Sequence, residues 1–151
     1  MSGESDQIKL YSARILELAA DIPRLNRLAA PDATVKRRAP LCGSTVTVDL
    51  SVAGGRVSDY GQEVKACALG QAAASIVGAN IVGCTPAQVL DARDQLRAML
   101  KHGGPVPAAP FAGLEVLSPA RDYRNRHDSI LLTLDASVEA LDQIKSASSC
   151  A

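Results

Sequence analysis

Tryptophan is missing from this chain of 151 residues and phenylalanine occurs once, so it lacks the aromatic platforms on which single-stranded bases or sugar rings stack. Its core must be aliphatic. It also lacks net charge, since sixteen lysines and arginines balance sixteen aspartates and glutamates, which leaves no electrostatic footprint for a phosphate backbone or an anionic lipid surface. Neither nucleic acid nor membrane is an expected partner. Long apolar runs are absent from the first twenty residues, where Glu4, Asp6, Lys9, Arg14 and Glu17 interrupt every stretch before it reaches signal-peptide or membrane-span length. A cytoplasmic location is expected. Cysteine is scarce, four in all, and cytosolic reductants disfavour structural disulfides. Metal, cluster or thiol chemistry therefore competes with plain burial for these side chains.

With 47% hydrophobic residues, the chain has enough apolar surface for one compact domain over 1–151 and is too short for two. Ile8, Tyr11, Ile15, Leu18 and Ile22 recur at steps of three and four, predicting an N-terminal helix over 6–22 that Pro23 ends. Residues 24–41 have no period and read as a loop. From Thr45 the chain alternates, with Val46, Val48, Leu50 and Val52 on one face and Thr45, Thr47, Asp49 and Ser51 on the other, which predicts a half-buried strand. Gly54-Gly55 supplies the positive φ angles of a tight hairpin, and residues 57–66 return antiparallel. Residues 68–82 are small and apolar nearly all round, a buried helix in which Gly70 and Gly78 imply close packing. Thr85-Pro86-Ala87-Gln88 is a capping box opening a second helix to about Lys101. Three glycines and three prolines make residues 102–113 a flexible loop. A last amphipathic helix is expected after Asp128-Ser129, with 146–151 as a frayed tail. The fold class is α+β, a small antiparallel sheet of about three strands covered by helices.

The chemistry concentrates at the open end of the hairpin. Cys42 precedes the first strand and Cys67 follows the second, so strand pairing brings them together despite their separation in sequence. Cys67 heads a helix, where free backbone amides suit a nucleophile or a metal ligand. A lone cysteine there would more simply be a small buried hydrophobe; Cys42 as a neighbour reverses those odds. Cys42 is followed by Gly43, whose lack of a side chain lets a ligand approach closely. His127 and Asp128, at the expected start of the last helix, offer nitrogen and oxygen donors for a metal shared with the two thiols. Asp128 reads equally as a helix cap. His102 reads as a solvated loop residue, Cys84 as structural, Cys150 as a tail thiol, and the run Arg121, Asp122, Arg124, Arg126 as a solvated turn.

These residues resemble the iron-sulfur cluster assembly scaffolds of the IscU, SufU and NifU N-terminal type. The resemblance covers residues 8–145 and rests on the Tyr11-Ser12 helix, Ala39-Pro40-Leu41-Cys42-Gly43 before a strand, Cys67 followed by Ala72-Ala73-Ala74-Ser75, and His127-Asp128-Ser129-Ile130-Leu131. It implies a two-layer sandwich of the SufE/NifU kind and a non-enzymatic carrier. A cysteine desulfurase would deliver sulfur, a labile [2Fe-2S] cluster or iron would be held at Cys42 and Cys67, and recipient iron-sulfur proteins would take it up. Asp128 stands where the family has its third cysteine, and Ser44 where it has the aspartate of Cys-Gly-Asp. The family's Leu-Pro-Pro-Val-Lys segment has no counterpart, Leu117-Ser118-Pro119-Ala120-Arg121 being the nearest stretch. The resemblance thus implies a metal site of Cys42, Cys67 and Asp128, with His127 and Ser44 as additional candidates, and leaves Cys42 or Cys67 to accept sulfur. Two other readings stay open: a thiol sulfurtransferase whose site is ordered by zinc, and an interaction protein that has lost the metal.

Overall fold

The computed structural model describes residues 12–150, with the side chains of 148–150 outside the description. Ser12 caps the first helix, α1 (Ala13–Ala20), by accepting from the Ile15 backbone N–H at 3.3 Å. The first part of the expected 6–22 helix lies outside the described residues. Three strands follow, β1 (Ala33–Arg38), β2 (Thr45–Ala53) and β3 (Arg56–Lys65), antiparallel in the order β1-β2-β3. Then come α2 (Ala68–Asn80), α3 (Pro86–His102), a 3₁₀ helix (Ala112–Asp122) and α4 (Arg124–Cys150). The α+β class and the three-stranded antiparallel sheet are as expected from the sequence.

The β2-β3 hairpin turns on Gly54 and Gly55 at φ of 61° and 75°, left-handed values that favour glycine. Ala53 thereby faces Arg56 and, at the open end, Thr45 faces Lys65. Helix α4 packs across β1 and β2, while α2 sits against α1, α4 and β3. Val46, Val48, Leu50 and Tyr60 meet these helices in an aliphatic core with Leu69, Val77, Ile130 and Leu134. The Tyr60 hydroxyl is buried within 3.3 Å of Ser137 Oγ on α4. Among the described residues, no helix is long and apolar enough to cross a membrane.

Several expectations change. Strand β1 occupies part of the segment read as a loop, so Cys42 lies on the β1-β2 connection rather than on an approach from a distant loop. Its outward Lys36-Arg37-Arg38 run hides the strand pattern, because only Ala33 and Val35 are buried. Strand β2 is covered on both faces. Asp49, expected at the surface, is fully buried beneath residues 24–32, where it accepts from Arg27 Nε (2.6 Å), Arg27 Nη2 (3.2 Å), the Leu28 backbone N–H (2.9 Å) and Thr34 Oγ1 (2.6 Å). Beside it Gly61 leaves room for the Asn26 carbonyl, which any Cβ would strike.

Thr85 and Gln88 form the capping box foreseen for α3, which ends one residue into the expected loop. Its C-cap is Gly103 at φ 64°. Residues 112–122 form a 3₁₀ helix around Pro119, whose short i→i+3 turns give no 3.6-residue period to read. Helix α4 starts at Arg124 rather than after Ser129. It also runs on to Cys150, so the tail expected to fray continues the helix.

Candidate functional site

Cys42 is held on a tight turn between β1 and β2. The Ala39 N–H donates to the Ser44 carbonyl at 2.8 Å and the Gly43 N–H donates to the Ala39 carbonyl at 2.9 Å. Gly43 completes the turn at φ 71°. This leaves Leu41 (71% exposed) and Cys42 projecting while Ser44 turns inward. Cys67 is the N-cap of α2, at φ −67° and ψ 169°. Its carbonyl accepts from the Gln71 N–H, and its thiol makes no capping bond.

Two serines join these thiols. Cys42 Sγ lies 3.3 Å from Ser44 Oγ, Ser129 Oγ donates to Ser44 Oγ at 3.0 Å, and Ser129 Oγ lies 3.6 Å from Cys67 Sγ. The result is an unbroken chain of polar contacts, thiol to hydroxyl to hydroxyl to thiol, across β1-β2, α4 and the head of α2. Gly70 makes it possible, because a Cβ there would stand 2.7 Å from Ser129 Oγ and 3.1 Å from the Ser129 carbonyl. Burial pushes the Cys42 thiol up. The Ser44 hydroxyl and N–H, the Ser129 hydroxyl and the charge of Arg126 together outweigh it and hold the thiol below its ordinary value.

The other candidates sit differently. Because α4 begins at Arg124, Asp128 falls in its second turn and is not a cap. Asp128 is partly buried and takes no hydrogen bond or ion pair among the described residues. His127 is 2% exposed, with Nε2 at 3.0 Å from the Ala120 carbonyl and 3.1 Å from the Arg121 carbonyl. Carbonyls only accept, so Nε2 carries the hydrogen. Nδ1 is buried and has no partner. Among the described residues, no three His, Cys, Asp or Glu side chains converge as a metal cluster would require. The structure therefore brings together Cys42, Cys67 and Ser44 but does not gather Asp128 or His127 with them. It adds Ser129, for which the sequence offered no role of its own, and Arg126, which read as a solvated turn. Cys84 is buried, its thiol donating to the Asn80 carbonyl at 3.2 Å and pushed up by burial. The side chain of Cys150 lies outside the described residues.

Among solved structures, the N-terminal part of a nitrogen-fixing NifU-like protein from Brucella abortus is 45% identical, with a TM-score of 0.92 over 93% of this chain and 98% of that one. The chain belongs to the NifU-like N-terminal family. Two further structures show the same fold at 20% identity, each over 89% of this chain and 98% of the other. One is a protein from Fervidobacterium islandicum ascribed to iron-sulfur cluster assembly as a scaffold of the SUF system (TM-score 0.78), the other a hypothetical protein (TM-score 0.79). No protein-family model and no curated protein matches the chain. In this chain Cys42 lies on the β1-β2 turn and Cys67 is the N-cap residue of α2, while Ser129, on the helix that carries His127, reaches both Ser44 and Cys67.

Proposed function

We propose that this chain is an iron-sulfur cluster assembly scaffold, in which Cys42 and Cys67 hold iron or a [2Fe-2S] cluster as cargo for transfer to recipient proteins. The observation that carries this reading is the Cys42-Ser44-Ser129-Cys67 chain in a NifU-like fold. Two thiols suit iron and zinc alike, and a site with one exposed cysteine suits cargo that must leave. His127 supports the reading by its hydrogen bonds: with Nε2–H fixed on backbone carbonyls, the unpartnered Nδ1 is the ring atom left to meet a metal. Asp128 is the candidate carboxylate ligand, and Ser44 lies beside Cys42 as a weaker oxygen donor. Loading would gather these groups around the thiols.

Sulfur would come from a partner of the cysteine desulfurase class. Cys42 is the acceptor this geometry favours, being exposed and biased towards thiolate. Its thiolate attacks the terminal sulfur of a donor persulfide, the donor's S–S bond breaks, and the donor leaves as a thiolate while Cys42 carries the persulfide.

Anaerobic reconstitution with ferrous iron and sulfide tests the reading. Iron, sulfide and visible absorption should survive desalting in the native protein and be lost in Cys42→Ser and in Cys67→Ser. A native protein that keeps neither iron nor sulfide under excess of both would overturn it.

A further inference from the structure

A concave site whose lining includes neither thiol lies where the end of α3 meets the start of α4. It is a cleft of about 850 Å³ whose inner wall contains Leu100 and His127, both 2% exposed. Lys101, Arg121 and Arg124 line its exposed part against one carboxylate, Asp122. None of the three cations has an ion-pair partner among the described residues. In a chain of zero net charge, three unpaired cations around one cleft are a local excess that needs a reason.

Helix electrostatics accounts for part of it. Lys101 is in the last turn of α3, where a cation complements the negative end of the dipole. Arg121 reaches towards the same end, its Nη1 lying 3.8 Å from where a Cβ on Gly103 would stand. Arg124 has the opposite setting. It opens α4, whose first turn contains no acidic residue and also carries Arg126, so cations crowd the positive end of that dipole. That arrangement is unfavourable in isolation and becomes favourable when an anion sits between the guanidinium groups and the first-turn amides.

We propose that this cleft binds a small polyvalent oxyanion, carrying phosphate or carboxylate groups, through Arg121, Arg124 and Lys101. The three cations stand apart from the two thiols, but the cleft shares His127 with the scaffold reading, as part of its inner wall. Its volume is that of a small-molecule pocket. Guanidinium forks on adjacent elements match the paired oxygens of either group.

The test is calorimetric titration of the full chain, stripped of metal over chelating resin, with pyrophosphate and separately with citrate at fixed ionic strength. Saturable binding of either, weakened about tenfold or more in Arg121→Gln/Arg124→Gln and unchanged in Cys42→Ser, is the expected result. Which ligand binds distinguishes a phosphate site from a carboxylate site. Backbone amide shifts confined to residues 100–103 and 121–127 would place the ligand even if the heat of binding were small. Both arginines are exposed, and an unchanged melting curve would confirm that the double variant folds. Absence of saturable binding for both ligands, or equal binding by the double variant, would overturn the proposal.

Discussion

The Ser129 hydroxyl donates to the Ser44 hydroxyl at 3.0 Å, tying helix α4 to the turn that presents Cys42. Both serines also contact a thiol, so each hydroxyl acts on the cysteines and on the packing at once.

Removing either hydroxyl should change thiol reactivity. Ser44 and Ser129 favour the Cys42 thiolate, so Ser44→Ala or Ser129→Ala should move the pH midpoint of Cys42 alkylation upward and slow labelling at neutral pH. Ser129→Ala should also lower stability by about 1 kcal/mol, the scale of one buried hydrogen bond. An unmoved midpoint in both variants would show that the serines do not set the thiol's charge state.

Alkylation should follow burial. Cys42 is exposed, Cys67 intermediate and Cys84 buried with its thiol pushed up. Limited iodoacetamide treatment followed by peptide mass mapping should therefore modify them in that order. Cys84 should react only on unfolding.

Gly70→Ala should destabilise the fold although alanine is the better helix former. The added methyl would stand 2.7 Å from Ser129 Oγ and 3.1 Å from the Ser129 carbonyl, and forcing α2 and α4 apart should cost about 1–3 kcal/mol in urea denaturation. The same variant should retain less iron after reconstitution. A neutral or stabilising result would mean that α4 yields without loss.

Asp49 should make the fold acid-sensitive. Burial pushes its carboxyl up, but hydrogen bonds from Arg27, Thr34 and the Leu28 N–H, with the charge of Arg27, outweigh it and hold it below the ordinary value. A depressed folded pKa means that the contribution is complete above the unfolded value, about 4, and is lost as pH falls below that through the folded value. Asp49→Asn should flatten stability against pH in this range, and Asp49→Ala should cost about 2–3 kcal/mol near neutrality. Equilibrium unfolding as a function of pH measures both.

The legible parts of the molecule were those with local causes. Gly54-Gly55 requires a tight turn and Thr85 to Gln88 a cap, and both form as read. Cys42 and Cys67 follow from the hairpin that joins them. Less legible was anything decided at a distance. Asp49 alternates like a surface residue and becomes buried only because residues 24–32 cross over it. The polar contact of Ser129 with both Ser44 and Cys67 depends on how α4 docks, and nothing adjacent in sequence announces it. Strand β1 is an edge with three successive cations, so pairing with β2 defines it where its own pattern does not.

The absent side chain at Gly70 has a consequence beyond tight packing. The cysteine turn, the head of α2 and the first turns of α4 are far apart along the chain, and they share a site only while α4 lies within reach of Cys67. A chain with that helix undocked would have its cysteines and no place to keep anything between them. Cargo that binds only the docked form would therefore brace the helix pair, and apo protein would be the looser of the two states.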